Sequence, residues 1–135
     1  MEFQDICNNT KLVFKKERNQ KRFQLMIKGN TTDNQPVFLF VTEVKLVKIR
    51  NAIHNYFRKM DGDSVHVYSE CWRLPYQQAE IFMELHRNDQ VIQIKISNQS
   101  DENYGFGVVR LNRTVSKKLL EEIEYIVGKI KGHLI

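Results

Sequence analysis

The sequence predicts an α+β protein: antiparallel sheets built from two strand-rich repeats, each followed by one amphipathic helix. Three observations carry this. Apolar and polar residues alternate in several short runs, the period of half-buried strands. Twice the spacing changes to steps of three and four, the period of a helix face. The two helical runs also align at an offset of 70 residues, with strand-like runs ahead of each.

Lys11 to Glu17 reads as a strand through Leu12, Val13 and Phe14, and Asn19-Gln20 as the turn that follows. In Arg22 to Lys28, Phe23, Leu25 and Ile27 alternate with Arg22, Gln24, Met26 and Lys28. After a polar loop, Gly29 to Gln35, comes the run Val37-Phe38-Leu39-Phe40-Val41. It is apolar on both faces and predicts a central strand with Phe38 and Phe40 in the core. Phe3 to Ile6 is available as a short fourth strand for this repeat.

Leu46, Ile49, Ile53, Tyr56, Phe57 and Met60 then mark one face of a helix over 43–60. Thr42 is placed to cap it and Asp61-Gly62-Asp63 to end it. Strands resume at Ser64 to Cys71, with Val65, Val67 and Cys71 expected inward. Trp72 to Gln78, with Pro75, reads as a connection. Glu80 to His86 and Val91 to Ser97 form a hairpin around Asn88-Asp89. Tyr104 to Leu111 is a last strand, where Gly105 and Gly107 suggest a bulge or a close approach by another backbone. A second helix over 115–131 carries Ser116, Leu119, Leu120, Ile123, Ile126, Val127 and Ile130, with Thr114 or Ser116 as cap and Gly132 as stop.

The chain has 135 residues, enough for one domain with its own core, spanning 1–135 with pseudo-repeats at about 1–62 and 63–135. Hydrophobic residues make up 41% and charged residues 27%, which excludes collagen-like and disordered classes. No apolar run approaches the ~20 residues that span a bilayer. Met1-Glu2-Phe3-Gln4-Asp5 lacks the basic and then apolar pattern of a secretory signal. A cytoplasmic protein without membrane contact is expected, with Cys7 and Cys71 as free thiols.

Twenty-one Lys and Arg against sixteen Asp and Glu give a net charge of +5. Residues 1–60 hold 12 basic and 5 acidic residues, whereas residues 61–135 hold 9 basic and 11 acidic. Lys11, Lys15, Lys16, Arg18, Lys21, Arg22 and Lys28 crowd into the first hairpin, broken only by Glu17. Like charges at this density repel, so the cluster suits a polyanionic partner, although solvated basic surfaces are common as well.

In the repeat alignment Ile49 falls on Leu119, Ile53 on Ile123, Tyr56 on Ile126, Phe57 on Val127 and Met60 on Ile130. Leu39 falls on Val109 and Val41 on Leu111. The match is one of pattern rather than identity. Four antiparallel strands and a helix, used twice, resemble the Whirly single-stranded-DNA-binding proteins. The same order resembles the purine-rich-element-binding repeat proteins and the half-sized positive cofactor 4 family of transcription coactivators. The resemblance runs from about Lys11 to Lys131 and lies in the order of elements. The Lys-Gly-Asn-Ala-Ala-type signature of plant Whirly proteins is absent, with Lys28-Gly29-Asn30-Thr31-Thr32 as an echo of it. What the resemblance implies is a curved sheet surface that binds single strands, with helices on the other side. It assigns no individual residue a role.

A single-strand binder needs cations for phosphates and flat side chains for bases. Lys11, Lys15, Lys16, Arg18, Lys21, Arg22, Lys28, Lys95 and Arg110 are the candidate phosphate contacts, helped by Lys45 and Lys48. Tyr68, Trp72 and Tyr104 are the candidate stacking residues, with Tyr76 beside Trp72 in the same connection. Catalysis is not expected. No HExxH, Walker A, GxSxG or paired Cys/His ligand spacing occurs. Cys71 with His66 or His86 and Glu70 or Glu84 is the best thiol constellation, but His66 and Glu70 fall on the strand face opposite Cys71. His66, Glu84 and His86 are more simply cross-strand polar neighbours than a zinc site. No cofactor and no small-molecule substrate are expected. The partner expected is single-stranded DNA or RNA, and homo-oligomers are compatible with open sheet edges. The alternative is a protein-interaction or regulatory module that binds no nucleic acid.

Overall fold

Two four-stranded antiparallel sheets and two helices make up the computed structural model, which describes residues 1–16, 22–61, 68–101 and 103–133. The first sheet is a meander of β1 (Glu2–Gln4), β2 (Lys11–Lys16), β3 (Arg22–Lys28) and β4 (Val37–Thr42), followed by helix α1 (Glu43–Met60). The second is a meander of β5 (Tyr68–Leu74), β6 (Ala79–His86), β7 (Val91–Asn98) and β8 (Gly105–Leu111), followed by α2 (Arg113–His133). The α+β class and the twofold use of a sheet–helix unit are therefore present in the structure. No helix among the described residues is long and apolar enough to cross a membrane.

Residues paired directly across antiparallel strands share a face. In the first sheet Leu12–Ile27–Val37 and Phe14–Leu25–Leu39 form buried rows, and Phe23 pairs with Val41. In the second sheet the corresponding rows run through Met83–Ile94–Val109 and Leu85–Ile92–Leu111. These inner faces and the apolar faces of both helices feed one hydrophobic cluster. Ile53 of α1 and Ile123 of α2 are both fully enclosed in it, each burial contributing about 1.5–3 kcal/mol. At Gly107 the sheets approach closely: a Cβ there would lie 2.8 Å from Ile27 Cγ2 and 2.9 Å from Thr31 Cγ2. The backbone of Thr31 also bridges Gly107, so another segment of the chain does approach this glycine closely, as expected.

Several elements differ from expectation. The Val37–Thr42 strand lies at the end of its sheet rather than in the middle, and Phe38 and Phe40 turn half-exposed to the outer face. The second unit's first strand is Tyr68–Leu74, so Trp72 and Arg73 belong to a strand, and only Pro75–Gln77 remains as a 3-10 connection. Residues 62–67, including the expected inward Val65 and Val67 and the candidate His66, lie outside the described residues. Cys71 pairs with Phe82 on the outer face and is exposed, not inward, because the register puts Trp72 opposite buried Ile81. Asn112, not Thr114 or Ser116, caps α2: its Oδ1 accepts from Val115 N at 2.9 Å. Ser116 instead donates its hydroxyl to Leu111 O at 3.2 Å, and α2 continues through Gly132 to His133. Thr42 does cap α1, accepting from Lys45 N at 3.4 Å.

A last strand leaves a row of backbone groups without a partner, and such an edge invites pairing with another chain. Here each unit covers the other's edge. Gln77 bonds both ways with Phe40: Phe40 N donates to Oε1 and Nε2 donates to Phe40 O, each at 2.7 Å. Asn98 Nδ2 donates to Phe38 O at 2.9 Å, and Asn103 Oδ1 accepts from Phe38 N at 2.8 Å. Reciprocally, Asp5 Oδ2 accepts from Arg110 N at 2.7 Å, and Ile6 N donates to Arg110 O at 3.0 Å. Thr32 Oγ1 accepts from Phe106 N at 3.1 Å. Phe40 stands 70 positions before Arg110, and Pro36, whose carbonyl accepts from Asn103 Nδ2, 70 before Phe106, so the clasp respects the repeat offset at these two pairs.

Candidate nucleic-acid interface

The outer face of the first sheet is built by register. Lys11 pairs with Lys28, Val13 with Met26, and Lys15 with Gln24, while Gln24 and Met26 pair onward with Phe40 and Phe38. Among the described residues four cations, Lys11, Lys15, Arg22 and Lys28, therefore share this face with one acid, Glu2. β2 and β4 are separated by β3, or roughly 10 Å at the usual strand spacing. The β2 lysines and the β4 phenylalanines thus form two parallel lines.

Arg22 lies over the Phe40 ring, its guanidinium carbon 4.1 Å from the centroid, and its Nε finds no hydrogen-bond partner among the described residues. Phe38 meets Phe40 edge to face at 5.8 Å. The clasp loops form the far wall of a cleft lined by Arg22, Phe38, Phe40, Tyr76, Gln77 and Asn103, with the acid Asp101 in the same wall. Tyr76 is fully exposed on that wall, and Tyr104, next to Asn103 in the chain, is 72% exposed. Lys15 is exposed, and no carboxylate pairs with it among the described residues. Lys11 and Lys28 both reach Glu2, at 3.5 and 3.2 Å. The hydrogen bond from Lys28, and then the charge of Lys11, hold the Glu2 carboxyl below its ordinary value of 4.5.

The outer face of the second sheet has a different balance. Lys95 lies over the half-exposed Phe106 ring at 5.0 Å. Arg110 pairs with Asp89 at 3.7 Å, Arg73 with Glu80 at 3.9 Å, and His86 with Glu84 at 3.0 Å. Two of its cations, Arg73 and Arg110, are thus each met by an acid of the same unit. Among the described residues no three His, Cys, Asp or Glu side chains are grouped to hold a metal.

The structure brings together Lys11, Lys15, Arg22 and Lys28 on one face, with Tyr104 in the loop beside the cleft. Lys95 and Arg110 stand on the other sheet. Arg18 and Lys21 lie outside the described residues. Lys16 pairs with Phe23 and so shares the inner side, although it is exposed at the strand end. Tyr68 and Trp72 are not on an outer face: both are half-buried against the core, and Tyr68 has Lys59 Nζ 5.7 Å from its ring. Their inward turn follows from pairing with buried Leu85 and Ile81. Phe38 and Phe40 are the aromatics that the sequence misplaced. The available signal was their alternation with Val37, Leu39 and Val41 in a strand that ends a meander.

Lys45 is half-buried and Lys48 exposed on α1, away from this sheet face. Cys71 Sγ approaches Glu80 Oε2 at 3.9 Å, and Glu70 points to the inner side with Met83, so the thiol, Glu70 and His86 are not assembled into a triad. No protein-family model and no curated protein sequence matches the chain.

Proposed function

We propose that this protein is a non-catalytic, sequence-tolerant binder of single-stranded DNA or RNA, and that the outer face of the first sheet is its contact surface. One observation carries the reading: among the described residues four cations and two half-exposed phenylalanines share one sheet face with a single acid, Lys11 and Lys15 in a line apart from Phe38 and Phe40. Single-strand binders combine a basic track with aromatic platforms in this way. Arg22 adds a guanidinium plane on which a base can stack. Lys11, Lys15 and Lys28 would meet phosphates, while Arg22, Phe40 and Tyr76 would meet bases.

The test is fluorescence anisotropy with labelled oligo-dT and oligo-U at 50 and 200 mM salt, with duplex DNA as competitor. Affinity should fall with salt, and Lys15→Gln should flatten the log–log slope by about 0.7, the value for one phosphate on a single strand. Tyr76→Ala should cost about 1–3 kcal/mol of affinity if that ring stacks on a base. Absence of binding at low salt, or binding insensitive to salt, rejects the reading.

A second reading has its own observation. β5 ends the second sheet, and the clasp that covers β4 and β8 does not reach it. Exposed Ser69, Glu70 and Cys71 lie on that strand. A protein partner adding a strand there would make this an interaction module, with affinity unchanged by Lys15→Gln.

A further inference from the structure

We infer that Lys11 and Lys28 form a phosphate subsite and that Glu2 acts as its built-in competitor, occupying the two ammonium groups until a nucleic-acid phosphate displaces the carboxylate. This inference rests on the nucleic-acid reading and adds a regulatory element to the same face.

The geometry supplies the argument. Lys11 and Lys28 are direct cross-strand partners, and like charges placed opposite each other repel. Something anionic must sit between them for this pairing to be favourable. Glu2 fills that place, with one oxygen 3.5 Å from Lys11 Nζ and the other 3.2 Å from Lys28 Nζ. It reaches there from β1, where Glu2 pairs with Val13 and is diagonal to both Lys11 and Lys15. Of these two diagonal neighbours it engages Lys11, and Lys15 is left for a ligand. A bridging phosphate oxygen pair offers the same two acceptors with a charge of the same sign.

The exchange is easy. All three side chains are 40–48% exposed, and exposed ion pairs of this kind hold only weakly. The charge sum sets the signature. With Glu2 ionised the trio carries one net positive charge, and with a neutral residue at position 2 it carries two. One more phosphate is then neutralised on binding.

The experiment compares the wild type with Glu2→Gln and Glu2→Asp, titrating labelled oligo-dT and inorganic polyphosphate from 50 to 200 mM salt, with melting curves as the folding control. Glu2→Gln should bind both polyanions about fivefold more tightly at low salt. Its log–log slope should steepen by about 0.7, so that the curves converge as salt rises. Glu2→Asp keeps the charge and should retain the wild-type slope. Adding Lys28→Gln to Glu2→Gln should cancel the gain. An unchanged or weaker affinity for both probes in a folded Glu2→Gln protein overturns the inference, as does a steepened slope in Glu2→Asp. A gain for polyphosphate without any oligonucleotide binding supports the Glu2 role and rejects the nucleic-acid reading instead. Binding of neither probe by any variant overturns both.

Discussion

Tyr56 is the largest fully buried side chain, and its hydroxyl donates to Met83 O at 3.3 Å across the gap between α1 and β6. Burial pushes this phenol above its ordinary value of 10.0, and the Glu70 and Glu84 carboxylates push in the same direction. The sign of the resulting pH dependence follows. Above pH 10 the unfolded chain loses the phenolic proton while the folded chain keeps it, so the folded state binds more protons and stability falls as pH rises. Tyr56→Phe should therefore do two things. At neutral pH it should cost about 0.5–1.5 kcal/mol for the lost hydrogen bond. Above pH 10 it should remove part of the alkaline decline, so that the variant and wild-type denaturation midpoints draw together. Parallel midpoints across that range would show that Tyr56 does not carry the decline. Nothing in the sequence distinguishes this tyrosine from Phe57 beside it; only the helix phase, which directs position 56 at β6, does so.

Among elements, the two helices test whether the units are equivalent. Ile53 and Ile123 stand 70 positions apart, and each is buried in the shared core. Ile53→Ala and Ile123→Ala should each cost about 2–5 kcal/mol in chemical denaturation, and by similar amounts, because each opens a cavity in the same cluster. A loss confined to one helix would mean that the units do not carry equal weight. The helices were legible because a three-and-four spacing sustained over this length has no strand reading. β3 and β7 were legible for the corresponding reason: strict alternation leaves one register that buries Phe23, Leu25 and Ile27, or Ile92, Ile94 and Ile96. β5 was not. Tyr68 to Leu74 alternates only loosely, with Ser69, Glu70, Cys71 and Arg73 among its three core-packed residues Tyr68, Trp72 and Leu74, each only half-buried, so the register of an edge strand is weakly written. The sequence pattern accordingly ends the strand at Cys71 with its thiol inward and leaves Trp72 to a connection, whereas the strand runs on to Leu74 with Trp72 inward. The basic character of the first sheet was legible as composition, but the face that it occupies depends on pairing. Lys15 and Lys16 are neighbours in sequence and lie on opposite sides of the sheet.

At the scale of the whole molecule, the unit boundary is crossed by hydrogen bonds that no local pattern announces. Gln77, Asn98, Asn103 and Thr32 read as loop residues, and Asp5 as part of a short strand. Their side chains instead substitute for a missing neighbouring strand, each acting on the other unit's last strand. A side-chain amide offers both a donor and an acceptor, so Gln77 can satisfy the N–H and C=O of Phe40 together, as a paired strand would. This closes the β4 edge next to the proposed binding cleft, where an open edge would expose the chain to pairing with another copy. Gln77→Ala removes two of these bonds, and Asn103→Ala removes those to Phe38 N and Pro36 O. The double variant should lose about 2–4 kcal/mol in chemical denaturation at about 0.5–1.5 kcal/mol per bond, offset where water reaches the freed groups. It should also self-associate in a concentration-dependent way, measured by sedimentation velocity, because the β4 edge becomes available to a second chain. Thr32→Ala, which frees the equivalent edge at Phe106, should shift both measurements in the same direction by a smaller amount. If the double variant stayed monomeric with an unchanged midpoint, the clasp would be an incidental contact and the sheet edge would be protected by other means.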